Sequence, residues 1–226
     1  MAAKRKSTNR VRTGISHERR DFLKAGIVMA VAPIFAGMVS AVLPTKARAA
    51  WNKDQKVLVV YYSKTGNTKA VAEMIQAKTN GDIYRIETVK TYPMKTPESI
   101  EIPRQELESG NLPDLKGALP DPSGYDLILV GSPVWWYTVS TPVMRFLKDM
   151  DFAGKKVAAF NTNGGGVGQF HTHFKTLARN AVTYDGVSFI GSYDDGWGQA
   201  VSGKEFQAGR RDEVGARLDQ WLAGFK

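Results

Sequence analysis

Ser63, Lys64, Thr65, Gly66, Asn67 and Thr68 place three hydroxyls, an amide, an ammonium and one glycine in six consecutive positions. They stand between a β-branched apolar run, 56–62 (KVLVVYY), and a stretch, 67–79, whose apolar residues recur at helical spacing. A helix start offers unpaired N–H donors at the positive end of its dipole. Hydroxyls and a glycine placed there suit a phosphate or another anion. The same residue types can also simply cap a helix, and six residues leave both readings open. Lys64 can assist an anion or merely end in solvent. The loop is neither a Walker loop nor a GxGxxG loop, because Lys69 follows Thr68 and the only glycine is Gly66.

Two more loops carry unusual chemistry. Residues 132–142 read SPVWWYTVSTP, so Trp135, Trp136 and Tyr137 follow Pro133 and Val134 directly after a buried run. Planar faces in that position suit stacking on an aromatic ligand, or they pack on the domain's own surface. Residues 161–170 read NTNGGGVGQF. There Gly164, Gly165, Gly166 and Gly168 permit tight backbone and close approach of amides to a ligand, or form a flexible turn. His171 and His173 fall about 200° apart on a helix and share no face for a metal, so they read as surface or loop side chains. Asp194-Asp195 before Gly196 reads as a turn. No GxSxG or HExxH occurs.

The elements that must position these loops alternate. Strands are expected at 56–62, 82–89, 126–132, 155–163 and 187–193. Helices are expected at 67–79, 141–150 (with Pro142 as its first residue), 168–180 and 208–224. Residues 90–123 form an irregular excursion with one short helix at 100–109. Runs that are apolar on both faces, alternating with amphipathic helices, mean an α/β fold: a three-layer, doubly wound, five-stranded parallel sheet covered on both sides. Such sheets bind ligands beyond the carboxyl ends of their strands, where all three loops lie.

Composition narrows the function. The chain lacks cysteine, which excludes disulfide frameworks, thiolate-held iron–sulfur clusters and CxxC redox chemistry. The net charge of +9 is segregated: residues 1–49 carry ten of the basic and two of the acidic residues, leaving about +1 on 50–226. A nucleic-acid-binding body would carry a basic stripe, so no nucleic-acid partner is expected. Residues 1–49 have the order of a secretory signal: a basic stretch, the apolar run 25–43, then Ala47-Arg48-Ala49 as a cleavage site. Arg19-Arg20 followed by Phe22-Leu23-Lys24 resembles a twin-arginine signal, with Glu18 a departure from the usual Ser or Thr. Cleavage after Ala49 and a periplasmic or otherwise exported domain over 50–226 are expected, without stable membrane insertion. The alternative is an anchor through 25–43.

VVYYSKTGNTKAVAEMI (59–75) resembles the signature of the flavodoxin family, with Val59, Val60 and Tyr61 in its strand, Ser63, Gly66 and Thr68 in its loop, and Ala72 and Ile75 in its helix. SPVWW and NTNGGGVG resemble the family's aromatic and glycine-rich loops. The resemblance implies the strand order 2-1-3-4-5 and FMN as cofactor. It implies that Ser63, Thr65, Gly66, Asn67 and Thr68, with Lys64 beside them, hold the FMN phosphate. Pro133, Val134, Trp135, Trp136 and Tyr137 would cover one side of the isoalloxazine, and Thr162, Asn163, Gly164, Gly165 and Gly166 would bond its edge through backbone groups. Tyr137 stands where the family commonly has a glycine whose peptide turns to bond reduced flavin. The near-neutral body also differs from strongly acidic flavodoxins. The function implied is an exported FMN protein carrying one or two electrons between redox proteins. The alternative is an FMN-dependent NAD(P)H:quinone-type oxidoreductase acting on quinone-type small molecules. A third reading, a non-redox module without cofactor, does not account for three intact loops.

Overall fold

The computed structural model describes residues 52, 54–94, 96–191 and 208–225, all within the compact unit Pro44–Lys226. The expectations for residues 1–49 and for Asp194-Asp195 lie outside the described residues.

The elements run β1 (Val57–Tyr61), α1 (Asn67–Thr79), β2 (Asp82–Arg85), α2 (Glu98–Ser109), β3 (Leu127–Trp135), β4 (Thr138–Val139), α3 (Thr141–Asp149), β5 (Lys156–Asn163), α4 (Phe170–Leu177), β6 (Val182–Thr183), β7 (Val187–Ile190) and α5 (Ala208–Leu222). The parallel sheet has the order β2-β1-β3-β5, with β6 and β7 both pairing the outer edge of β5. That is the expected 2-1-3-4-5 order, with the fifth position filled by two short pieces. The break falls at Gly186, where a Cβ would come within 2.6 Å of the Ala159 carbonyl and 2.7 Å of the His171 ring.

Alternation along the central strands fills both faces. Val57, Val59, Leu127 and Leu129 join Val71 and Ile75 of α1 and Leu218 of α5 in one core. Leu58, Val60, Ile128 and Val130 join Val143 and Phe146 of α3 and Phe170 and Phe174 of α4 in the other. Truncating a side chain such as the fully buried Leu129 to alanine removes about 2–5 kcal/mol. This two-sided burial makes the sheet a rigid floor, and every loop of interest leaves it at the same end.

Several boundaries differ from expectation: β2 ends at Arg85 rather than 89, α4 spans Phe170–Leu177 rather than 168–180, and a short strand, β6, precedes β7. Strand β3 continues to Trp135 and folds back into β4, so most of 132–142 is a hairpin rather than a loop. Helix α2 begins at Glu98 and runs through Pro103. Helix α3 begins at Thr141, after Ser140, so Pro142 is its second residue. Proline is accommodated there because the N–H it lacks would have no intrahelical partner.

Candidate functional site

The loop after β1 leaves the sheet at Tyr61 and enters α1 through Gly66, whose φ of 104° is left-handed and strains any residue with a Cβ. Ser63 Oγ accepts from the Gly66 N–H at 3.1 Å and closes the turn. No side chain caps α1. Asn67 and Thr68 are its first two residues, and the Thr68 hydroxyl points inward to Thr162 Oγ1 at 2.8 Å, both side chains being buried. The capping reading is therefore not what forms. The N–H groups of the first turn of α1 are left at the positive end of the helix, free of intrahelical bonds.

Asn67 sharpens this. Its Nδ2 reaches Thr65 Oγ1 only at 3.4 Å, while its buried Oδ1 has no hydrogen-bond partner among the described residues. A buried acceptor without a donor destabilises by about 1–3 kcal/mol. Such an atom next to uncapped amides fits a ligand with hydroxyl or N–H groups near its anion.

Lys64 leaves the same loop in another direction. Its Nζ donates to the Ser99 carbonyl at 3.3 Å and lies 5.9 Å from the Trp135 ring centroid. The acceptor exists because Pro103 has no N–H to give back to residue 99. Partial burial holds the Lys64 ammonium below the usual lysine range.

The aromatic hairpin divides its side chains. Trp135 packs edge-on to Tyr62 (5.5 Å) and Tyr92 (5.0 Å). Burial pushes both phenols up. Trp136 is 45% exposed and Tyr137 68% exposed, and the Trp136 Nε1–H donates to the Ile100 carbonyl at 3.3 Å. Trp136 and Tyr137 have φ of 49° and 60°, the left-handed pair that a tight two-residue hairpin requires. The tip is clamped: the Gln169 N–H donates to the Tyr137 carbonyl at 2.9 Å. A Cβ on Gly168 would sit 2.4 Å from that carbonyl oxygen, so only glycine permits the approach. Pro133 lies in register with Thr162, and Val134 with Val139.

The third loop leaves β5 through Thr162 and Asn163, both buried. Asn163 Oδ1 accepts from the Gly165 N–H at 3.0 Å, and its Nδ2 donates to the carbonyl of Phe189 and to Asn161 Oδ1. With that side chain engaged inside the protein, loop 164–166 offers a ligand its backbone. Gly165 has φ of 128°, and Gly166 lies against the Tyr137 ring.

The structure thus gathers all three loops at one sheet edge. Thr68 joins Thr162, Lys64 reaches Trp135, and Tyr137 rests on Gly166 and Gly168. It also shows partners that the sequence reading missed. Glu106 accepts from Tyr92 and Thr141 at 2.7 and 2.6 Å and ties α2 to the start of α3. His171 and His173 are not free surface groups. His171 contacts Ser188 and Asn161, and His173 Nδ1 lies 2.7 Å from Thr138 Oγ1. No local sequence signal announces these contacts, because Asn161 of β5, Ser188 of β7 and the histidines of α4 meet only across elements.

Comparison with known proteins points one way. A family model described as Flavodoxin matches residues 56–195. A flavodoxin of Aquifex aeolicus is 27% identical over 191 residues, 75% of this chain and 88% of that protein. The crystal structure of a flavoprotein of Lactobacillus acidophilus in complex with FMN matches with a TM-score of 0.55 at 26% identity, over 59% of this chain and 93% of that one.

Proposed function

Because the chain belongs to the flavodoxin family, we propose that it works as an exported redox carrier, moving electrons between protein partners with FMN as its cofactor. The observation that carries the reading is the uncapped start of α1 inside a cluster of three mutually bonded loops. The amides of Asn67 and Thr68, with Ser63, Thr65, Gly66 and the Asn67 side chain around them, would receive the phosphate, while Lys64 stands to one side against Ser99 and Trp135. Pro133, Val134, Trp135, Trp136 and Tyr137 would flank the ring system, and the backbone of Thr162 to Gly166 would bond its edge. Bound FMN supplies one- or two-electron chemistry. The protein's share is to bind, orient and exclude water.

The carrier reading draws on the hairpin tip. Trp136 and Tyr137 stand out beside the site, so a partner protein can touch them. Quinone-type small molecules are the alternative electron acceptors. Purified protein is expected to be yellow and to release FMN on denaturation. It should oxidise NAD(P)H with a quinone only slowly, yet exchange electrons rapidly with a redox protein. Steady NAD(P)H turnover would instead make it an oxidoreductase, and colourless protein that refuses added FMN would remove both readings. Export through residues 1–49 by the twin-arginine machinery belongs to the same proposal.

A further inference from the structure

A continuous polar chain runs from helix α4 to the glycine loop. His171 Nε2 lies 3.0 Å from Ser188 Oγ, and Asn161 Nδ2 donates to that same oxygen at 2.8 Å. Asn163 Nδ2 donates to Asn161 Oδ1 at 3.2 Å, and the Gly165 N–H donates to Asn163 Oδ1 at 3.0 Å. Asn161 is fully buried and Asn163 nearly so. Three side chains, those of Ser188, Asn161 and Asn163, therefore connect an imidazole to the backbone of loop 164–166.

The pattern suits an imidazole whose Nε2 accepts. The Asn163 bond sets the Asn161 amide with its oxygen toward Asn163 and its nitrogen toward Ser188 and His171, whose Nε2 is 3.4 Å away. Ser188 Oγ already accepts from Asn161, so its own hydrogen is available for His171 Nε2. That arrangement is the one formed when Nε2 is an acceptor, as in the neutral ring with its proton on Nδ1. A proton on Nε2 would oppose an N–H to the Asn161 N–H and reverse the Ser188 hydroxyl.

The charges around the ring are mixed. Lys175, on the same helix, disfavours the imidazolium, and Asp185, before β7, favours it, but these two pair with each other at 3.0 Å. Arg217 of α5 donates to the Ser188 carbonyl at 2.9 Å. Phe170 lies edge-on to the ring at 5.2 Å, and Gly186 leaves it room. Burial therefore decides, and it holds His171 below the usual histidine range.

We infer that His171 is a positioning residue for the cofactor site: neutral, it holds the Ser188–Asn161–Asn163 chain that sets loop 164–166, and protonated, it loosens that loop and weakens FMN. The inference rests on the FMN reading above. By linkage FMN in turn lowers the proton affinity of His171.

The experiment is FMN titration of the full domain, wild type and His171→Gln, followed by flavin fluorescence from about pH 7.5 to about pH 5. Glutamine can still accept from Ser188 but takes no proton in this range. The FMN phosphate titrates near pH 6 and affects both proteins alike. Between those limits the wild-type dissociation constant is expected to rise more than that of the variant, approaching the roughly tenfold ratio of one unit of linked pKa shift as pH falls below the His171 value. Equal pH dependence in both proteins overturns the inference while leaving FMN binding intact. Failure of wild type to bind FMN at any pH overturns the functional reading instead. Should the variant not fold, the imidazole resonances of wild type decide: the His171 pKa is expected to be lower with FMN than without, and an unchanged value overturns the proposal.

Discussion

At the scale of single residues, the decisive feature is where the polar groups of the first loop point. Ser63 and Thr68 match the family signature alike, yet Ser63 turns its oxygen back to the Gly66 N–H while Thr68 sends its hydroxyl into the interior toward Thr162. Thr68 is fully buried, so its hydroxyl serves the junction between two loops, and under the proposal only its N–H serves the phosphate cradle. Thr68→Val keeps the volume and leaves Thr162 Oγ1 without its partner. Denaturant unfolding of the apoprotein is expected to show a loss of about 1–3 kcal/mol, with only a small change in FMN affinity. Lost FMN binding at unchanged stability would instead make the hydroxyl a direct ligand group. His171 carries a related pH effect. Its lowered folded-state pKa means that stability from its neutral form is complete above the ordinary histidine range and is lost as pH falls through the folded-state value.

At the scale of elements, Pro103 explains why α2 lies against the site. Without its N–H, the Ser99 carbonyl is free to accept from Lys64, and the carbonyl of the next residue, Ile100, accepts from Trp136. Restoring the N–H with Pro103→Ala should strengthen the helix while offering Ser99 a competing donor. The variant is expected to unfold at higher denaturant but to show faster amide exchange at the tip around Trp136 and Tyr137, as Lys64 and α2 part. Unchanged exchange there would mean that Lys64 does not depend on the freed carbonyl. This element also marks what the sequence could convey. Strands β1, β3 and β5 were legible because burial on both faces writes an uninterrupted apolar run. The β3–β4 hairpin was not, because Trp136-Tyr137 lacks the Asn-Gly or Asp-Gly pair that normally announces such a turn, and its geometry depends on Gly168 and Gln169, some thirty residues on. The Asn161–Ser188–His171 chain was illegible for the same reason: three residues on three elements meet only once the sheet has formed.

At the scale of the whole molecule, the proposed cofactor site exists only in the folded state. Its loops, 63–68, 133–137 and 162–166, leave three different strands and are fastened to one another by Thr68–Thr162 and by Tyr137 against Gly168. An unfolded chain has no such cradle, so an exported form that carries FMN must either fold and load before crossing a membrane or find FMN afterwards. The charge distribution bears on the choice: the basic excess sits in residues 1–49, where paired arginines precede an apolar run, and the folded domain is nearly neutral. A twin-arginine route, which moves folded proteins, would allow loading first. Replacing Arg19 and Arg20 together by lysine keeps the charge and the apolar run, so a general secretory signal would still function. Under the proposal the variant remains inside the cell, unprocessed but yellow, with the domain from residue 50 onward folded around FMN. Wild type is expected outside the cytoplasm with its new N-terminus following Ala49. Normal processing of the double-lysine variant would sink the twin-arginine assignment, and wild type retained at full length in the membrane would favour an anchor through residues 25–43.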